Sequence, residues 1–420
     1  MSLIGVADGD NFFAGTEQLL DARLRGKAVV VLSNNDGNVI ARSKEAKLLG
    51  IKMTTPRHEL APLINAGTLI ARSGCWPTYE VMSRRLVWSC SHFTPSLEEY
   101  SCDEVFMSME HIDPRTADAY GQLIKKTVAT WTGIRTSLGI GPTKTLAKAA
   151  IERAKQTTGV YAVTTPTEID DLLATLSVED VWGLGSRKSS WLKHQGITTA
   201  QAFANAPTWW IRQHLSVVSA RTQLELRGQP AFPLITARAT KQEILVSRAF
   251  GRPVTEVEQL REALSFYTAR ACEKLRAEHR CAGLISVHVA TNPFRKREPQ
   301  YSNSITIRLD RPTAYTPTIL AAALGGLERI YRPYPFHRVG IALREFVAED
   351  PAQGTLFAPH FPSARERQLM MTLDAICQRF GREAIRYLGT GFARPWASKG
   401  DYRSPRALTQ WAEIPHVQVR

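Results

Sequence analysis

The pair Asp103-Glu104, preceded by Ser101-Cys102, sets two carboxylates side by side, and Asp8 closes the apolar run Leu3-Ile4-Gly5-Val6-Ala7 near the start of the chain. Adjacent carboxylates repel one another, so their juxtaposition calls for a counter-charge. Mg²⁺ supplies one, since it takes oxygen ligands from a few carboxylates and completes its shell with substrate phosphates. Two apolar strands, one ending at Asp8 and one running on from Glu104, would bring Asp8, Asp103 and Glu104 together. Such a set can hold two metals for in-line displacement at phosphorus. An Asp-Glu pair at a strand end also reads as a solvated turn, and both readings stand at this point.

Other segments carry chemistry of their own. Phe12-Phe13, directly after Asp10-Asn11, reads either as core or as a ring set against a nucleotide sugar, where it would block a 2′-hydroxyl. Gly139-Ile140-Gly141-Pro142-Thr143-Lys144-Thr145-Leu146-Ala147-Lys148 is a glycine turn opening a helix, which presents backbone amides to an anion. It lacks the Gly-Lys-Ser/Thr order of a Walker loop. Lys155 follows on the same helix. Val181-Trp182-Gly183-Leu184-Gly185-Ser186-Arg187-Lys188 fits a hairpin between two small helices, whose amides bind a DNA phosphate without reading bases; purely structural helix hairpins use such glycines too. Gln353-Gly354-Thr355-Leu356-Phe357 is an extended peptide with two apolar anchors suited to a partner's groove.

The elements that position these groups follow from hydrophobic spacing. Up to about residue 165, apolar strands (Ala28–Leu32, Val105–Ser108, Thr136–Ile140) alternate with amphipathic helices near 112–131 and 143–154, an α/β layout. Short helices dominate 166–229, and the Pro-rich stretch 230–242 reads as a linker. Residues 244–347 then run strand, long helix, two strands, helix, strand; this βαββαβ order predicts a small sheet with helices on one face. One helix is expected near 364–379.

A chain of 420 residues accommodates several domains, and its formal charge of +14 suits a polyanionic partner such as nucleic acid. No apolar run is long enough for a membrane span, and Asp8 and Asp10 interrupt the first apolar run as no secretory leader would allow. The six cysteines lack metal-ligand spacing and read as reduced thiols, so a cytoplasmic protein is expected.

In their order, these pieces resemble the Y-family DNA polymerases, the translesion enzymes, and among them the UmuC-type branch, the catalytic subunits of bacterial DNA polymerase V and their plasmid-borne relatives. The resemblance rests on residues 27–53, Tyr100–Glu104, Thr143–Lys148, Asp180–Gly185, Lys241–Ile244, Ser247–Gly251 and Glu273–Arg276, and runs through nearly the whole chain. It implies a multidomain α/β and α+β right-hand polymerase. The palm would be 1–10 and 77–166, the short fingers 11–76, the helix-hairpin-helix thumb 167–229, the linker 230–242, the βαββαβ little finger 243–347 and the tail 348–420. By the same resemblance Asp8, Asp103 and Glu104, with the main chain at Gly9, hold two Mg²⁺ ions, and Phe13 is the sugar gate. Lys155 meets the incoming triphosphate. Where many relatives have Tyr-x-Ala-Arg in the fingers, this chain has Lys44-Glu45-Ala46-Lys47; Lys47 brings charge without arginine's bidentate fork, so help from Arg42 and Lys44 is expected.

DNA contacts are expected from Gly183, Gly185, Arg187 and Lys188 in the hairpin and from Arg248, Arg252, Arg295, Lys296 and Arg297 in the little finger. Gln353, Leu356 and Phe357 match the sliding-clamp peptide. The implied partners are primer-template DNA, deoxynucleoside triphosphates, the clamp, a processed UmuD-type dimer and RecA, in an SOS-type damage response at the nucleoid. A DNA-binding accessory protein at stalled primer ends would keep the hairpin, basic residues and clamp peptide but would have no need of the three carboxylates.

Overall fold

The computed structural model describes residues 2–237, 240–348, 364–381 and 383–414. The chain divides into two compact units, one from 1–33, 37–238 and 402–420, the other from 34–36 and 239–401. Residues 34–36, expected among the fingers, thus group with the second unit, and the tail is shared between the two.

The first unit holds two sheets. Its strands are β1 (Ile4–Gly9), β2 (Val29–Leu32), β3 (Val39–Arg42), β4 (Ile70–Ser73), β5 (Leu97–Glu99), β6 (Glu104–Ser108), β7 (Thr136–Gly141) and β8 (Val160–Ala162). The larger sheet runs β5-β6-β1-β7-β8, with β1 antiparallel to both neighbours, and the smaller runs β3-β2-β4. β2 reads as an unbroken apolar run because it is the central strand and all of its residues are buried.

The helices are α1 (Phe12–Leu20), α2 (Lys44–Leu48), α3 (Ala61–Asn65), α4 (Trp76–Ser91), α5 (Ala117–Thr132), α6 (Lys144–Ala154), α7 (Pro166–Thr175), α8 (Ser186–His194), α9 (Ala200–Asn205), α10 (Thr208–His214) and α11 (Val217–Leu226). α5 begins later than its periodicity suggests because Pro114 heads a separate 3-10 turn, Pro114–Thr116. Local signals set other boundaries. Thr165 and Glu168 form a reciprocal capping box at the start of α7, and Gly133, at φ 73°, ends α5.

The two faces of the larger sheet do different work. Ala7, Val105 and Met107 pack with α4 and α5 residues such as Met82, Leu86, Ile124 and Val128. Val6 and Phe106, on the other face, pack against Ala147 and Ile151 of α6. α7–α11 close, with Leu146, Ala149 and Ala150 of α6, around a core that includes Leu172, Leu192 and Phe203.

The described residues of the stretch expected as a linker form no helix or strand, yet its first half is firmly held. The buried Glu225 carboxylate accepts from Ala231 and Phe232 N–H, each at 2.9 Å. Glu98 accepts from Ile235 N–H at 2.6 Å, and Lys144 Nζ donates to Pro233 O at 2.7 Å. Its Pro-rich composition gave no sign of this, because the partners lie far off in sequence.

In the second unit β9 (Ile244–Val254), β10 (Arg280–Ala290), β11 (Ser302–Thr313) and β12 (Phe336–Ala348) form an antiparallel sheet in the order β11-β10-β12-β9. α12 (Val257–Ala277) and α13 (Thr316–Ile330) pack against Val246, Ile285, Val287 and Ile341. Helix α14 (Ala364–Phe380) is tied on by a forked pair, Arg276 Nε and Nη2 to Asp374 at 2.6 and 2.7 Å. Further along, Trp396 is buried in the same core, a contact that periodicity did not reveal. No helix among the described residues is long and apolar enough to cross a membrane.

Candidate active site

The antiparallel pairing of β1 with β6 sets Asp8 directly opposite Glu104, and Gly9 N–H donates to Asp103 O at 2.8 Å. A Cβ at Gly9 would lie 2.9 Å from the Phe12 ring, so a larger residue there would displace that buried ring. The three acidic residues are therefore neighbours in backbone, but their side chains diverge. Asp103 accepts from Ser101 Oγ at 2.6 Å, Glu104 pairs with Lys148, and Asp8 accepts from Lys155 Nζ at 3.0 Å. Among the described residues no three acidic, histidine or cysteine side chains close on one point as a metal site does.

Asp8 and Glu104 face α6 because Asp8 and Val6 share one side of β1, and Val6 packs on that helix. Lys148 and Lys155 stand two turns apart on α6 and at its C-cap, so both reach the same sheet face. Burial lifts the Asp8 carboxyl to about 6 against the pull of Lys155, and Glu104 opposite adds to the rise. A carboxyl so raised gains from added positive charge, so this all-oxygen donor set fits a hard divalent cation. Lys148 was visible in the sequence but carried no assigned role; only the pairing of β6 with β1 brings Glu104 under α6.

Lys47, on α2, belongs to the same field. Burial, Arg42 and Lys155 pull its ammonium below the usual value, while Asp10 and Asp8 act in the opposite sense. Lys47 thus lies within electrostatic reach of Asp8 and Lys155. Arg42 Nη1 is engaged by Ile51 O at 2.7 Å, and Lys44 is exposed on the same short helix. Phe12 and Phe13 differ in burial. Phe12 is buried, whereas Phe13 is half-buried, stacked on Tyr79 at 4.6 Å between ring centroids and edge-on to Trp76 at 5.4 Å.

The turn that opens α6 is already occupied by an anion from within the chain. Glu225 Oε2 accepts from Thr145 N–H at 2.9 Å and from Thr145 Oγ1 at 3.0 Å, and Lys144 is buried in a pair with Glu98. The glycine turn therefore binds α11 and not an outside phosphate. In the hairpin, Gly183 takes φ 86°, a left-handed conformation, and Gly183, Gly185 and Arg187 are exposed. Lys188 turns inward instead, donating to Ser216 Oγ at 3.2 Å and Ser219 Oγ at 2.9 Å.

Arg248, Arg252, Arg295, Lys296 and Arg297 are all exposed in the second unit, with Arg295 paired to Glu298 at 2.9 Å. The first two lie on edge strand β9 and the other three in the loop between β10 and β11. Gln353, Leu356 and Phe357 lie outside the described residues.

Comparison with known proteins places the chain among named relatives. The impB/mucB/samB family model matches residues 7–152, and the model of that family's C-terminal domain matches 241–356. A third model, described only as a domain of unknown function, matches 367–417. Protein UmuC of Salmonella typhimurium is 37% identical over 99% of this chain and all of its own length. Protein SamB of Salmonella typhimurium is 38% identical, also over 99% of this chain and the whole of its own. Among solved structures, a Y-family DNA polymerase chimera of Dbh and Dpo4 superimposes with a TM-score of 0.67 at 20% identity, covering 82% of this chain and 99% of the chimera. With that polymerase fold around it and full-length relatives on either side, the chain belongs to the impB/mucB/samB family.

Proposed function

We propose that this protein is an error-prone translesion DNA polymerase that adds deoxynucleotides opposite damaged template by two-metal phosphoryl transfer. The observation that carries the reading is the register of β1 on β6, which sets Asp8 against Glu104 beside Asp103, with Lys148 and Lys155 above them. Family membership and the Y-family fold support it.

In this reading β1 and the β5–β8 sheet form the palm, α1–α3 with the small sheet the fingers, α7–α11 the thumb, and β9–β12 with α12 and α13 the little finger. Asp8, Asp103 and Glu104, with the main chain at Gly9, would hold Mg²⁺. When bound, Mg²⁺ there supplies a lowered pKa at the primer 3′-hydroxyl and charge for the pyrophosphate leaving group. Lys155 and Lys47 bind the triphosphate and offset the charge that develops on its oxygens, with Arg42 and Lys44 beside them. Phe13 faces the sugar and excludes a 2′-hydroxyl.

The exposed hairpin at Gly183, Gly185 and Arg187 and the little-finger basic residues grip the DNA backbone without reading sequence. Gln353, Leu356 and Phe357 serve a sliding clamp, and a processed UmuD-type dimer and RecA are the further partners, at the nucleoid.

Single-nucleotide primer extension with Mg²⁺ tests this on intact and abasic templates, with and without a UmuD-type dimer and RecA filament. Incorporation by the unaltered chain that vanishes in Asp103→Ala, with DNA affinity kept, is the expected result. DNA binding without incorporation in any set would instead identify a non-synthetic protein at primer ends.

A further inference from the structure

The Phe13 ring does not stand alone. It stacks on Tyr79, which is buried, and Tyr79 OH donates to Glu17 Oε1 at 2.7 Å. Glu17 is buried too, and its second oxygen, Oε2, accepts from Ser404 Oγ. A buried carboxylate is tolerable only when hydrogen bonds satisfy it, and here a hydroxyl serves each oxygen. One of the two comes from the far end of the chain, within the stretch matched by the domain of unknown function.

That stretch is seated, not merely adjacent. Tyr402 exchanges hydrogen bonds with Ser73 at the end of β4, Tyr402 N–H to Ser73 Oγ and Ser73 N–H to Tyr402 O, both at 3.0 Å. Leu408 packs against the core that contains Tyr79 and borders Phe13.

We propose that Ser404 is a positioning residue for sugar discrimination: through Glu17 and Tyr79 it holds the Phe13 ring, so the C-terminal segment sets how strictly ribonucleotides are excluded. The inference rests on Phe13 being the gate. Without the Ser404 hydroxyl, Glu17 Oε2 loses its donor in a buried site, and the carboxylate must turn or move toward water. Tyr79, bonded to the same group, follows, and the stacked Phe13 ring loses its backing. A gate works by excluding one oxygen, so a displacement of well under a bond length relaxes it while leaving the deoxynucleotide path open.

The test compares kcat/KM for a matched deoxynucleotide and its ribonucleotide in the unaltered chain, Ser404→Ala, Ser404→Thr, Tyr79→Phe and Phe13→Ala. Assays use the full chain under the conditions that support its synthesis, corrected for active fraction by burst amplitude. Ser404→Ala should lower discrimination about tenfold, mainly through a lower ribonucleotide KM, with deoxynucleotide kcat held within about twofold. Ser404→Thr, which keeps the hydroxyl, should restore discrimination. Tyr79→Phe, which keeps the ring but cuts its bond to Glu17, should loosen it and provides the readout if Ser404→Ala fails to fold. A general loosening of the fold would lower both substrates together and leave the ratio alone, which would overturn the inference. Unchanged discrimination in Ser404→Ala and Tyr79→Phe beside a large loss in Phe13→Ala would also overturn it, with the gate intact. No change in Phe13→Ala would remove the gate and this inference with it.

Discussion

Replacing Glu225 by glutamine isolates one carboxylate that holds three parts of the first unit. The side chain is fully buried at the end of α11, and its two oxygens accept four hydrogen bonds, from Thr145 N–H and Oγ1 and from Ala231 and Phe232 N–H. Glutamine fills the same space but can accept at only one end. Its amide would turn toward Thr145, whose hydroxyl can reverse and accept, while the oxygen keeps Ala231 and Phe232. One buried donor, Thr145 N–H, is then orphaned, which costs about 1–3 kcal/mol. The remaining bonds also lose charge assistance, roughly another 1 kcal/mol. A total loss near 3 kcal/mol is expected in the unfolding transition of this unit, read as a lowered urea midpoint at unchanged slope. Hydrogen exchange gives the local readout: Ala231 and Phe232 amides should be protected in the unaltered chain and only modestly faster in Glu225→Gln, but fully exposed in Glu225→Ala. An unfolding free energy within about 0.5 kcal/mol of the unaltered chain in both variants, with those amides still protected, would refute the reasoning.

Neighbouring basic residues in the hairpin should separate cleanly. Arg187→Ala should weaken DNA binding and reduce the salt slope by about one, whereas Lys188→Ala should leave the slope unchanged and lower stability by roughly 1–2 kcal/mol, since its ammonium serves Ser216 and Ser219. Replacing Leu356 and Phe357 together by alanine should remove clamp stimulation and spare distributive synthesis, as measured by primer extension with and without the clamp. His288 gives a pH signature: burial and Arg338 hold its imidazole below the usual value. The unfolded chain therefore takes up a proton near pH 6.5 before the folded one does, and stability falls as pH drops from about 7 toward the lowered folded value. Melting temperatures of the unaltered chain and His288→Gln should diverge across that interval; parallel curves would mean that His288 does not contribute.

Much of the site could be read in advance because its parts are local. The apolar run before Asp8 and the run after Glu104 identify β1 and β6, and the glycine turn before Lys144 marks the start of α6. Side-chain direction was not available in the same way. Lys188 looks like any exposed hairpin lysine until α11 is folded against it, and the α6 turn looks open until Glu225 fills it. The tail was the least legible part, since Trp396, Tyr402 and Ser404 find partners more than a hundred residues earlier and show no periodicity of their own. Short β3, β4 and β8 were passed over as well, being too brief to display an alternation.

The fastened strap at 231–235 also determines where a pull enters the molecule. Tension drawn along the chain from beyond residue 237 arrives first at Ile235, whose N–H is gripped by Glu98, and next at Pro233, gripped by Lys144. α11, which a free tether would peel from its C-terminal end turn by turn, lies behind these two clamps and stays slack. The load passes instead into β5 and the first turn of α6, which carry Glu98 and Lys144. α6 is also the helix that carries Lys148 and ends at Lys155. Tension arriving at residue 237 would thus reach the helix that carries Lys148 and Lys155 before it reached α11.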